Sequence, residues 1–220
     1  LVSWARRCVQ ETVAIHNGYN DRFRPMEGTA ETVRKYLRDP EYLFFLGNTD
    51  PKKNTPGTLK AYAEYVRRSE NPLPLLVADL GEQPAEAILR EIGEPRLRGM
   101  LRLAGYIPNS DLPAIYNRAS AFLYTSLRES FGIPQLEAMA CGTPVVTSAT
   151  SAIPEVAGEG AILVDPTDPK AIADALLRLE TDAAFRARQV AYGLERVKRF
   201  SWEKTARHLL ALYESLGKTN

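Results

Sequence analysis

Residues 121–148 read AFLYTSLRESFGIPQLEAMACGTPVVTS. "AFLYTS" (121–126) is a short apolar run of strand length, and "PVVTS" (144–148) is another. Between them Pro134 suits a first helical turn, where its missing N–H costs nothing. "PQLEAMACG" then carries an apolar helix to a Gly stop. Strand, loop, helix, turn and strand make one crossover unit, which places its two strands parallel in one sheet.

The same alternation extends outward. "TVAIHNG" (12–18) reads as a short strand ending in a turn, and "GTAETVRKYL" (28–37) as a helix with Thr29 as cap. "YLFFLGN" (42–48) and "LPLLVADLG" (73–81) are continuous apolar runs, as expected of strands buried on both faces. "TPGTLKAYAEYVRRS" (55–69) has Leu59, Tyr62, Ala63 and Val66 at helical spacing. "PAEAILREIG" (84–93) reads as a helix with Pro at its start and Gly at its end. A strand over 100–107, a helix over 110–120 capped by Ser or Asp, and a strand over 161–165 follow. Helices over 168–179, about 182–198 and 202–216 close the chain, the last opening on Ser201 as a cap. The pattern predicts a single α/β domain, Rossmann-like and doubly wound around a mainly parallel sheet. Ligands of such sheets bind beyond the carboxyl ends of the strands. That points to three loops, 47–56, 105–110 and 126–133.

Composition narrows the function. The 220 residues are 25% charged with a formal net charge of +1, which gives no basic stripe for nucleic acid. No apolar run reaches the length of a membrane span, and no signal peptide shows. Cys8 and Cys141 have no CxxC spacing, and His16 and His208 are the only histidines. Neither a disulfide framework nor a zinc site is expected, and a cytoplasmic location with reduced thiols is the default. The start lacks Met and enters abruptly, so the chain reads as a fragment of a longer protein.

The 126–133 loop carries the chemistry. Gly132 leaves room for a ligand at the backbone, and the unpaired N–H groups of the following helix form a natural phosphate seat. Glu129 lies on the loop, and Glu137 lies about one turn, roughly 5 Å, into the helix. A carboxylate accepts from two hydroxyls at once, so a diol is a natural partner. A sugar nucleotide carries a diol at each end with its diphosphate between. Spacing alone leaves a second reading open, in which both acids are solvated and merely favour the helix start. In "GNTDPKKNTPG" (47–57), Lys52 and Lys53 stand near a helix start, where a Lys can meet an anion as a point charge. They could equally be solvated in a turn. "GYIPNSD" (105–111) could wall a flat base.

These residues resemble a known family. "LRESFGIPQLEAMACGTPVVTSATSAIPEVAGEGAILVDP" is similar to the nucleotide-sugar signature of the family 4 retaining glycosyltransferases of GT-B fold, whose hallmark is a Glu, seven residues and a Glu, here Glu129 and Glu137. "AIHNGYNDRFRP", "FLGNTDPKKN" and "FSWEKTARHLLALYESL" resemble that family's first turn, phosphate loop and closing helix. The resemblance, from about Val13 to Leu216, implies the C-terminal, donor-binding half of the GT-B fold, with the N-terminal acceptor domain absent. It implies that Glu129 contacts the donor sugar near the reacting carbon and that Glu137 binds the ribose. Backbone around Ser130, Phe131, Gly132 and Ile133 would hold sugar and phosphate. Lys53 would neutralise the leaving diphosphate without a metal. Gly47, Asn48, Tyr106 and Ile107 would complete the donor site. Many members have an Arg where this chain has Asn48, which leaves more of the charge to Lys53, helped by Arg128. No cofactor is implied; the donor is a substrate, GDP-mannose or a UDP-sugar. The acceptor would be a hydroxyl of a glycan, a lipid-linked sugar or a small molecule. Further expectations are weak or no transfer by the isolated domain, an apolar side of 202–216 left partly uncovered, and peripheral membrane association through the missing domain. A sugar-nucleotide epimerase and a non-catalytic binding module are the alternatives. A dinucleotide-dependent oxidoreductase would need a GxGxxG that this chain lacks.

Overall fold

The computed structural model describes residues 12–217. Its strands are β1 (Leu43–Leu46), β2 (Leu75–Ala78), β3 (Leu101–Gly105), β4 (Ala121–Tyr124), β5 (Val145–Ser148) and β6 (Ile162–Val164). All pairs are parallel, in the order β3-β2-β1-β4-β5-β6. The helices are α1 (Ala30–Val33), α2 (Thr55–Arg68), α3 (Glu82–Glu91), α4 (Leu112–Arg118), α5 (Ile133–Ala140), α6 (Ile153–Ala157), α7 (Pro169–Thr181), α8 (Ala183–Val197) and α9 (Trp202–Gly217).

Alternate strand residues feed two cores. Phe44, Leu76, Phe122 and Val145 point into a core with Leu136 of α5 and Ile115 of α4. Phe45, Val77, Leu123 and Val146 point to the other face, against Leu59 of α2, Leu89 of α3 and Leu176 of α7. Every residue of β2, β4 and β5 is buried, which is why these strands read as unbroken apolar runs. Each fully buried Leu or Phe contributes about 2–3 kcal/mol of transfer free energy.

The structure corrects three local expectations. Residues 12–18 pair with no strand of the sheet, and Val13 is exposed. The segment is held by the closing helix instead, through Thr205 Oγ1 donating to the His16 carbonyl at 2.6 Å. Gly18 abuts the chain entering α9, where a Cβ would lie 2.1 Å from the Trp202 nitrogen. The helix expected over 28–37 shrinks to Ala30–Val33, and Thr29 makes no side-chain cap. Asp111 does not cap α4 either. Its carboxylate accepts from the Tyr36 hydroxyl at 2.7 Å and from Lys35 at 3.2 Å, so it staples α4 to the segment after α1. Ser201 does cap α9, accepting from the Lys204 N–H.

Candidate donor site at the strand carboxyl ends

The strand order reverses between β1 and β4, and a doubly wound sheet opens its ligand crevice at such a point. Two loops border the crevice here, 47–54 after β1 and 125–132 after β4. They are tied together. Leu127 N–H donates to the Lys52 carbonyl at 2.7 Å. Asn54, held left-handed at φ 55°, donates through Nδ2 to the Thr125 and Pro166 carbonyls. The Thr58 and Thr125 hydroxyls lie 2.6 Å apart. Beneath them Thr147 donates to the Tyr124 carbonyl and to Gln135 Oε1, and Ser148 to the Ser126 carbonyl.

This lattice joins two side chains 76 positions apart. Lys53 Nζ lies 2.7 Å from Glu129 Oε1, with both side chains mostly shielded. Lys53 also stands 5.5 Å from the Tyr124 ring centroid. Burial pushes the Glu129 carboxyl up, but Lys53 and the Ser126 and Tyr124 hydroxyls more than offset it and hold the group below its ordinary value. Glu129 is therefore ionised at neutral pH. Its own backbone is fastened by Ser151, whose hydroxyl donates to the Glu129 carbonyl at 2.6 Å.

Gly132 precedes α5 with φ +94°, a conformation that L side chains rarely adopt. The turn brings Phe131 and Ile133 to the head of the helix. Among the described residues no protein oxygen accepts from the N–H groups of Phe131, Gly132 or Ile133. These free donors and the helix dipole put positive potential at the head of α5. Phe131 packs on Phe200 and His16, with ring centroids 5.8 and 6.0 Å away. A Cβ on Gly132 would lie 2.8 Å from Gln135 Nε2 and 3.2 Å from Tyr124 Cε1. Gly132→Ala is expected to lose about 1–3 kcal/mol of stability, read by denaturant unfolding, and to weaken nucleoside diphosphate binding. Wild-type values for both would contradict the role given to the turn.

Glu137 sits within α5, half-buried and apart from Glu129. Burial is the main influence and raises its carboxyl to about 7, against smaller lowering effects of Tyr116 and Arg22. So the two acids are electrostatically distinct: one ionised beside Lys53, the other titrating near neutrality.

The remaining expected residues are distributed as follows. Gly47 is buried and donates to the Ala78 carbonyl at 3.2 Å, and Asn48 Oδ1 accepts from the Asp50 N–H at 2.9 Å. Asn48 thus organises the loop rather than adding charge to it. Ser130 and Arg128 are exposed on the loop. Tyr106 is 73% exposed beyond β3, whereas Ile107 turns into the core, so only its backbone could meet a ligand. Cys141 is buried and its thiol is pushed up to about 12 by burial, in keeping with a packing role. Ser151, Tyr124 and Gln135, which hold the site in place, carry no local sequence signal. Among the described residues no group of His, Cys, Asp or Glu side chains has the makings of a metal site. None of the described helices is long and apolar enough to cross a membrane.

The family model for "Glycosyl transferases group 1" matches residues 30–196 and so contains both loops and α5. The chain belongs to the group 1 glycosyl transferases. Within the family it is 32% identical, over 96% of its length, to O-antigen chain mannosyltransferase B of Escherichia coli, of which it covers 55%. It is 34% identical, over 88% of its length, to D-inositol 3-phosphate glycosyltransferase of Frankia alni, of which it covers 50%. In structure it is similar to the sucrose-phosphate synthase of Thermosynechococcus elongatus, with a TM-score of 0.79 and 27% identity over 99% of this chain and 56% of that one. The chain thus spans about half the length of the curated relatives it matches, and its sheet is that of the C-terminal domain of GT-B glycosyltransferases.

Proposed function

We propose that this domain binds the nucleotide diphosphate sugar for a retaining, metal-independent glycosyl transfer, and that the acceptor site belongs to a further domain. The observation that carries the reading is the Lys53–Glu129 pair at 2.7 Å, set beside the head of α5 at the point where the sheet order reverses. A diphosphate at the helix head would meet unpaired N–H groups and the Lys53 ammonium. Both stabilise the negative charge that grows on a departing diphosphate. Glu129, ionised and fastened at its backbone, would contact the donor sugar. Glu137 would take the ribose diol. In this reading the pairing with Glu129 holds the Lys53 side chain at the crevice before a phosphate shares its charge.

GDP-mannose is the first donor to test, because several relatives are named mannosyltransferases; UDP-sugars are next. The acceptor would be a hydroxyl of a glycan, a lipid-linked sugar or a small molecule. The missing partner domain would cover α9, where Leu210, Tyr213 and Leu216 are each about 60% exposed. Isothermal titration with GDP, UDP, GDP-mannose, UDP-glucose and UDP-N-acetylglucosamine tests the reading. Saturable binding of one nucleotide series is expected, with dissociation constants at or below the millimolar range. No heat from any of them at millimolar concentration sinks it.

A further inference from the structure

Tyr116 of α4 is fully buried, and its hydroxyl has no hydrogen-bond partner. Orphaned buried hydroxyls are uncommon, because each forfeits its hydration without replacement. This one is also held in place. The Tyr116 ring packs edge-on against Phe23, Phe44 and Phe122, with centroids 5.9, 5.3 and 5.1 Å away. The Tyr116 carbonyl accepts from the Thr143 hydroxyl at 2.6 Å. A ring wedged among three others cannot swing its oxygen to water. Glu137, on the neighbouring α5, is the foremost charge acting on that oxygen and lies within reach of its proton, but not at the geometry of an ordinary hydrogen bond. The other groups around the pair are Arg22 from the segment before α1, Cys141 at the end of α5 and Tyr124 of β4. Cys141 keeps its proton at neutral pH, and Tyr124 shares the core on the α4 side of the sheet with Tyr116.

We propose that the Tyr116 hydroxyl is a positioning donor: it bonds the Glu137 carboxylate when that carboxylate turns to grip a vicinal diol, and so fixes its direction and keeps it ionised. The inference rests on the reading that Glu137 holds the ribose of a nucleoside diphosphate. A Phe would fill the same aromatic nest and bury no hydroxyl. Tyr116→Phe should therefore melt no lower than the wild type while binding worse, an opposition that a merely structural role does not produce.

The test is calorimetry with GDP and UDP from pH 6 to 9 on the wild type, Tyr116→Phe and Glu137→Gln, alongside thermal unfolding. The 2′,3′-dideoxy diphosphates serve as probes without a diol. For Tyr116→Phe the affinity should fall roughly tenfold near pH 7.5. The pH below which affinity fades should move upward, because the carboxylate has lost a donor. The dideoxy probes should bind wild type and variant alike. Unchanged affinity and pH profile in a folded Tyr116→Phe overturn the inference, as does an equal loss with the dideoxy probes. Should the variant unfold, the wild type decides by carbon NMR. The Tyr116 Cζ signal should shift on saturation with GDP or UDP, and a signal that does not shift overturns the proposal. If Glu137→Gln leaves GDP and UDP affinity intact, the reading of Glu137 itself fails, which a failure of Tyr116→Phe alone does not imply.

Discussion

Glu137→Gln is expected to make the domain more stable at alkaline pH and poorer at binding nucleotide. Burial raises the folded-state carboxyl from 4.5 to about 7. Between those values the folded chain keeps a proton that the unfolded chain has released, so stability falls as pH rises across the window. Above pH 8 the accumulated cost of an ionised Glu137 is about 3 kcal/mol. Gln is nearly isosteric and carries no such cost. Denaturant unfolding should show the variant and the wild type alike near pH 4.5, and the variant ahead by up to about 3 kcal/mol at pH 8. Parallel stability curves would contradict the burial argument. The same substitution removes an acceptor for the ribose hydroxyls, so affinity for GDP or UDP should drop about tenfold or more. In the wild type that affinity should weaken as pH falls below about 7, where Glu137 takes up a proton.

Lys53→Ala acts on the other acid. It withdraws the cation from Glu129, whose side chain is only 14% exposed. A shielded carboxylate left without its partner destabilises the fold by about 1–3 kcal/mol at neutral pH. Because Lys53 holds the Glu129 carboxyl low, the stability it confers is present above the carboxyl's ordinary value near 4.5 and is lost as pH falls through its folded value. The gap between variant and wild type should therefore narrow in acid. A lysine that meets a diphosphate also carries a charge-assisted bond worth a factor of about ten to a hundred in affinity. Nucleoside diphosphates should lose that factor while the free nucleoside loses little. An equal loss for both would mean that Lys53 shapes the loop without touching phosphate. In a full-length protein the transfer rate should fall by about a hundred- to a thousandfold.

The residues that declared themselves in the sequence are those whose environment is set by close neighbours. Phe44, Leu76 and Leu123 lie in strands covered on both faces, and an unbroken apolar run says so. Pro134 and Gly132 mark the head of α5 because backbone geometry alone demands them. Residues 12–18 misled because alternating Val13 and Ile15 look like a strand, while the segment is claimed by α9 through Thr205, 189 positions from His16. Asp111 misled because its carboxylate is claimed by Tyr36, 75 positions away. The candidate site shows the same division. Glu129, Glu137 and Lys53 stood out singly, through loop position and family resemblance, but the contact between Lys53 and Glu129 exists only once β1 and β4 lie side by side. Tyr116 packs on Phe23, Phe44 and Phe122, and Ser151 ties the Glu129 backbone, through contacts that no local pattern encodes.

The central claim, a diphosphate seated between Lys53 and the head of α5, is tested most directly by following backbone amide NMR signals during a GDP or UDP titration. The account predicts saturable shifts concentrated at Gly47, Asn48, Lys53, Ser130, Phe131, Gly132 and Ile133, all abolished or weakened in Lys53→Ala. Shifts centred instead on the opposite end of the sheet, at the cavity lined by Arg68, Ser69 and Arg186, or no shift at millimolar nucleotide, would contradict it.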